Sequence, residues 1–232
     1  MSLIPAMKLR LAAYSDLINI KKIKGLSGIK VSSKSLRVGA TTTHAEVAAS
    51  KEVGKTISSL AILADGIGDP QVRNRGTIGG SIANNDPAAD YPSACLALNA
   101  TIHTNKRKIT ADKFFKGMFE TDLKKGELIE AVEFELPEKS SYAKFPNPAS
   151  RYAVVGVYVA KLKKEVRVAV TGAGSSVFRS KELEAALSNN FSNSAIEKIS
   201  ISSKGLTSDI HASADYRAHM IKVMAKKAVS SC

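Results

Sequence analysis

In the first half of the chain, short apolar runs alternate with polar and turn residues. Residues 17–20 (Leu-Ile-Asn-Ile), 28–31 (Gly-Ile-Lys-Val) and 36–40 (Leu-Arg-Val-Gly-Ala) read as strands. Thr43-His44-Ala45-Glu46 is a capping box and predicts a helix over 45–51, with a second over about 57–64. Residues 65–69 read as a loop. Asp86-Pro87 has the signature of a helix start, with Asp86 as N-cap and Pro87 at the first helical position. That helix runs to Leu98 and places Ala88, Tyr91, Ala94, Cys95 and Leu98 on one face. Residues 100–104 and 108–110 form a hairpin around Asn105. Thr110 caps a short helix holding Phe114 and Phe115. Residues 127–136 make a long strand stopped by Pro137.

The texture changes after Pro137. Residues 137–141 read as a polar linker and a domain boundary, dividing the chain into 1–137 and 138–232. Strands follow at 142–145, 150–162 and 165–173, the last two joined near Lys163-Lys164. Helices follow at 180–187, 194–201 and 213–229. The final helix carries Tyr216, Met220, Val223 and Met224 on one stripe. The fold class is α+β in two parts.

Composition narrows the function classes. Thirty-four Lys+Arg against 21 Asp+Glu give a net charge of +13, so the chain favours acidic company. Lys21, Lys22, Lys24, Lys30, Lys34 and Arg37 cluster as a solvated basic edge or a docking face. No aromatic residue interleaves with them to stack bases, which sets nucleic acid aside as a partner. Cys95 and Cys232 make no metal or disulfide pattern, as suits a reducing cytoplasm, and Cys95 reads as a buried small apolar residue. No apolar run is long enough for a transmembrane segment. His44, His103, His211 and His219 are scattered; His44 reads as a surface histidine beside a cap. No nucleophile–base pair is evident, so no catalytic residue is assigned.

The densest chemistry lies between Asp69 and Asp90. Gly76, Gly79 and Gly80 fall within five residues, preceded by Arg73 and Arg75 and followed by Asp86 and Asp90. Glycines there suggest positive-φ turns and a concavity of backbone N–H groups able to take a phosphate or pyrophosphate. Neither P-loop nor Rossmann spacing is present. The whole string resembles the second flavin segment of the FAD-binding medium subunits of molybdenum hydroxylases, the carbon monoxide dehydrogenase type above all, with xanthine dehydrogenase more distant. That pattern is Val-Arg-Asn-x-Gly-Thr-Ile-Gly-Gly-x-(Ile/Leu)-Ala followed by Asp-Pro-Ala-Ala-Asp, and residues 72–90 fill it. Two further strings, at 144–157 and 208–219, resemble the C-terminal domain of the same subunits, so the likeness is colinear over essentially the whole chain.

The resemblance implies a p-cresol methylhydroxylase-type FAD-binding domain followed by a small antiparallel sheet with helices. It implies FAD as cofactor, near Thr77, Ile78, Gly79, Gly80, Ser81, Asp90, Ile129 and Lys144. Lys144 would stand near the flavin ring, although the residue alone reads as a solvated lysine. Residues 2–11 resemble the tail of the first flavin loop, so Ser2, Leu3 and Ile4 would line the site, while the glycines of that loop and the unit before it are missing. A domain without that unit is expected to leave a sheet edge and apolar surface uncovered. The implied function is electron transfer by an oxidoreductase subunit, from iron–sulfur clusters of a small subunit to an external acceptor. Substrate chemistry would belong to a molybdenum-containing large subunit. A dimer of heterotrimers, in the cytoplasm or on the inner face of the membrane through the complex, completes the implied picture. The alternative is an interaction subunit of the same fold that binds no flavin.

Overall fold

A computed structural model describes all 232 residues, Met1–Cys232. Helix α1 (Leu3–Lys8) leads through an irregular stretch to β1 (Ile29–Val31) and β2 (Ser35–Gly39). Helices α2 (His44–Ala49), α3 (Lys51–Thr56), α4 (Ser58–Asp65), α5 (Pro70–Arg75), α6 (Ile78–Asn84) and α7 (Tyr91–Ala97) follow. Next come β3 (Thr101–Thr104), β4 (Lys108–Thr110), α8 (Ala111–Phe114), β5 (Phe115–Gly117), β6 (Glu120–Thr121) and β7 (Ile129–Glu135). The remaining chain forms β8 (Lys139–Pro146), β9 (Ala153–Lys161), β10 (Val166–Thr171), β11 (Phe178–Arg179), α9 (Lys181–Asn189), α10 (Asn193–Glu197) and α11 (Ala214–Ser230).

The first sheet has the order β1-β2-β7-β3-β4, with every neighbouring pair antiparallel. Its central strand β7 sets Val132 opposite Val38 on one side and Ile102 on the other, all fully buried. Helices α4, α6 and α7 close over this core through Leu60, Leu63, Ile78, Ile82 and Tyr91.

The second sheet, β11-β10-β9-β8, is covered on both faces. Tyr158, Ala160 and Ala169 join the core of the first sheet, while Val155, Val157, Val159, Val166, Val168 and Val170 pack under α9, α10 and α11. That double burial is why β9 and β10 read as continuous apolar runs rather than alternating ones. Polar ties cross between the halves. The Tyr158 hydroxyl lies 2.6 Å from Ser59 Oγ, and the buried Arg167 guanidinium grips Asp112 and Asn99.

Several elements depart from the sequence reading. Residues 17–20 form no strand: Ile18 is 85% exposed and no residue of the run is buried, so it has no apolar face to fix it in a sheet. The helix expected from Pro87 starts only at Tyr91. The carbonyls of Pro87, Ala88 and Ala89 accept instead from the Gly172 N–H (2.8 Å), the Ala153 N–H (3.3 Å) and the Thr171 hydroxyl (2.6 Å), so this turn docks on the second sheet. Asp86 does cap locally, its carboxylate accepting the Ala88 N–H at 2.9 Å. The expected helix over 45–51 breaks at Ser50, whose hydroxyl caps α3. Thr110 makes no side-chain cap, and Phe115 opens a strand. The stripe of α11 is rotated. Tyr216 and Val223 are exposed, whereas Arg217 is buried because it donates to the Val154 and Gly172 carbonyls at 2.5 and 2.8 Å.

No helix is long and apolar enough to cross a membrane. Exposed large hydrophobics concentrate in residues 1–31, including Leu3, Ile4, Leu9, Leu11, Leu17 and Ile18, of which Leu3, Ile4 and Ile18 line the site described next.

Candidate functional site

The stretch expected to be a glycine turn folds as two short helices. Asp69 Oδ1 accepts the Val72 N–H at 2.8 Å and Pro70 takes the first position, which starts α5. Gly76 ends it with extended geometry, and Thr77 caps α6, its hydroxyl accepting the Gly80 N–H at 3.1 Å. None of the three glycines has positive φ. Their value lies in close approach instead. A Cβ on Gly79 would fall 2.6 Å from Ala40 Cβ, and one on Gly76 would fall 2.5 Å from His44 Nε2. Gly80 faces open space, with only Thr77 Oγ1 near, at 3.0 Å.

The expected concavity of free N–H groups is also absent. Ile78 donates to Thr42 O (3.1 Å), Gly79 to Ala40 O (2.9 Å), Gly80 to the Thr77 hydroxyl and Ser81 to Thr77 O (2.9 Å). The residues after β2 take two of them and Thr77, at the start of α6, takes the other two.

Two cavities, of about 710 and about 610 Å³, flank this helix start. They share a wall made by Met1, Arg75, Thr77, Gly80 and Ala83. Gly79 and Ile129 line the larger, with Ile4 of α1; Ser2, Leu3, Ser81 and Asp90 line the smaller. Two residues expected at the site line neither. Ile78 is fully buried, its side chain committed to the core beneath α6. Lys144 stands behind the wall, its Nζ 3.0 Å from Asp90 Oδ1 and donating to Gly66 O at 2.8 Å. It is paired and only partly exposed, not a solvated lysine.

Asp90 is 4% exposed and is therefore no surface carboxylate. It accepts from the Tyr142 hydroxyl and from Lys144. Burial pushes its carboxyl up from the ordinary range, against the pull of the Lys144 ammonium and the Tyr142 hydroxyl. His44, expected at the surface, is 5% exposed and lines the smaller cavity, its ring centroid 5.3 Å from that of Tyr91. Burial, with the positive charges of the amino terminus and Arg73, lowers its pKa to about 4. Cys95 is buried as expected, and burial raises its thiol pKa.

Sequence reasoning gave no role to Arg75, Arg151 or Tyr152, yet all three line the smaller cavity. For Arg75 a signal existed: a cation two residues before the Thr77 cap. For Arg151 and Tyr152 none did, because the turn before β9 meets the 87–89 segment only through tertiary contact, as in the Ala153 N–H to Ala88 O bond.

The family described as the FAD binding domain in molybdopterin dehydrogenase matches residues 1–138, and the CO dehydrogenase flavoprotein C-terminal domain matches residues 140–232. The chain is 35% identical to the glyceraldehyde dehydrogenase medium chain of Sulfolobus acidocaldarius, covering 98% of this chain and 86% of the relative. It is 31% identical to the carbon monoxide dehydrogenase medium chain of Hydrogenophaga pseudoflava, with 99% and 86% covered. Among solved structures, reconstituted CO dehydrogenase from Oligotropha carboxidovorans superposes with a TM-score of 0.90 at 27% identity, covering 99% of this chain and 86% of that one. The chain belongs to the FAD-binding medium subunits of the molybdenum hydroxylases, the family that includes the carbon monoxide dehydrogenase medium chains.

Proposed function

We propose that this subunit holds FAD across the two cavities beside Thr77 and Gly80, takes electrons from the iron–sulfur clusters of a small partner subunit and delivers them to an external acceptor. The observation that carries the reading is the pair of cavities meeting at one Thr-Ile-Gly-Gly helix start. An elongated dinucleotide needs two compartments and a narrow neck, and Gly80 leaves that neck without a side chain. FAD, when bound, supplies the ability to accept electrons singly and release them as a pair. The chain's own residues bind and orient. Thr77 and Gly80 form the neck, Ile129 and Ile4 give an apolar wall on one side, and Asp90 with Ser81 gives a polar wall on the other. Lys144 and Tyr142 fix the Asp90 carboxylate behind that wall.

Molybdenum and iron–sulfur cofactors belong to other subunits in this family, and the proposed partners are a molybdenum-containing large subunit and an iron–sulfur small subunit. The assembly is proposed to be a dimer of heterotrimers, in the cytoplasm or held on the inner face of the membrane through the complex. Co-expression with the two partner subunits tests this. The expected result is a complex of two copies of each subunit, carrying one flavin per copy of this chain. A stable complex that carries no flavin would instead establish the interaction subunit as the correct reading.

A further inference from the structure

A bound pyrophosphate brings negative charge that something must neutralise. The backbone N–H groups of Ile78, Gly79, Gly80 and Ser81 are already donated within the protein, so a side-chain cation is the readiest source of compensating charge. Most cations at the site are committed. Arg73 lies 3.6 Å from Asp65 and donates to the Ile67 and Gly68 carbonyls at 3.2 and 3.1 Å. Lys144 is held between Asp90 and Gly66 O. Arg151 donates to Gly68 O at 3.3 Å and reaches only the smaller cavity, and Lys21 only the larger. His44 is neutral above mildly acidic pH.

Arg75 differs from all of these. It ends α5, lines both cavities at their shared wall, is exposed, and makes no hydrogen bond or ion pair within the chain. The carboxylates of the two cavities leave it uncompensated: Glu127 is held by Arg107, Asp90 by Lys144, and Asp86 turns onto the Ala88 N–H. Arg75 fills the position that the Val-Arg-Asn-x-Gly-Thr pattern leaves open, so the pattern itself assigns it no role.

We infer that Arg75 neutralises the pyrophosphate of FAD at the neck between the two cavities and makes the site select phosphorylated flavins over riboflavin. A planar guanidinium suits this task, because it presents paired donors to phosphate oxygens. The inference rests on the flavin reading above.

The test titrates the full chain and its Arg75→Gln and Arg75→Lys variants with FAD, riboflavin and inorganic pyrophosphate, at low and high salt. Because Arg75 makes no internal contact, both variants are expected to keep the wild-type thermal transition. Arg75→Gln is expected to weaken FAD about tenfold, the scale of one exposed charge-assisted contact, and to flatten its salt dependence. Riboflavin binding is expected to be unchanged, pyrophosphate to compete with FAD only while a cation stands at position 75, and Arg75→Lys to retain most of the FAD affinity. Equal loss of FAD and riboflavin, or FAD and pyrophosphate binding indifferent to Arg75→Gln, overturns the inference and leaves the flavin reading standing. A wild-type chain that binds pyrophosphate through Arg75 but takes no flavin overturns the flavin reading and keeps the anion site. A wild-type chain that binds neither overturns both.

Discussion

Gly79→Ala and Gly80→Ala are neighbouring substitutions with opposite expected effects. Both replace a helical glycine of α6, so each gains about 1 kcal/mol of helix propensity. At Gly79 the new Cβ would lie 2.6 Å from Ala40 Cβ, 2.7 Å from Ala40 O and 2.9 Å from Ala40 Cα. These are backbone atoms and a methyl on the buried end of β2, and none can rotate away. Relief requires α6 to move off the sheet, which stretches the Gly79 N–H to Ala40 O bond of 2.9 Å. Overpacking costs up to about 3 kcal/mol and the strained hydrogen bond about 1, so the net loss is about 3 kcal/mol. For a domain of this size that is a fall in Tm of about 6–12 °C. At Gly80 the new methyl meets only Thr77 Oγ1 at 3.0 Å, and a hydroxyl can give by that much. Stability is expected to stay within about 1 kcal/mol of wild type. The methyl instead enters the neck between the cavities, and flavin affinity falls tenfold or more, roughly the cost of one misplaced group in a close-packed site. Thermal unfolding followed by flavin titration separates the two. An unchanged Tm for Gly79→Ala would refute the packing argument. Undiminished flavin binding by a folded Gly80→Ala would refute the placement of the site.

Three further outcomes follow from the same contacts. His44 has a native pKa near 4 against 6.5 when unfolded, so the unfolded chain takes up the proton first as pH falls. Stability is therefore full above 6.5 and is lost on the way down to 4. Urea unfolding at pH 7.5 and 4.5 should differ by about 2–3 kcal/mol from this group, a difference that His44→Gln removes. Asp112→Ala leaves the 1%-exposed Arg167 guanidinium without its main partner between the two halves. The expected cost is about 2–3 kcal/mol by denaturant titration, reduced from the fully buried case because Asp112 is half exposed. Tyr158→Phe removes one hydroxyl from the Ser59 contact and should cost about 1 kcal/mol, with a wild-type m-value.

Where local sequence and tertiary packing agree, the elements were legible. The Thr43–Glu46 capping box is present with both reciprocal bonds, the 2.7 and 3.2 Å contacts of Glu46 with Thr43. The continuous valines of β9 and β10 sit in a sheet covered on both sides. Misreadings arise where a distant element claims a local group. Pro87, Ala88 and Ala89 look like a first helical turn until the second sheet takes their carbonyls. Tyr216 and Val223 read as part of the buried stripe of α11, but Arg217 takes the inward place because two carbonyls and Asp209 accept from it. At the site, Thr77, Gly79, Gly80, Ser81 and Asp90, which the motif singled out, line the two cavities. It could not show that the Ile78 and Gly79 N–H groups are taken by Thr42 and Ala40, or that Lys144 points at Asp90. Those facts depend on how α6 meets β2 and β8 meets α4, which no local spacing encodes.

The central claim is tested most directly by flavin retention. The purified chain is incubated with FAD, desalted, and its flavin absorbance is measured against protein. Close to one flavin is expected to be retained per chain, with the Gly80→Ala variant losing most of it and the Arg75→Gln variant retaining less than wild type at low salt, by a margin that narrows as salt is raised. A folded wild-type chain that emerges colourless would contradict the assignment of the two cavities to FAD.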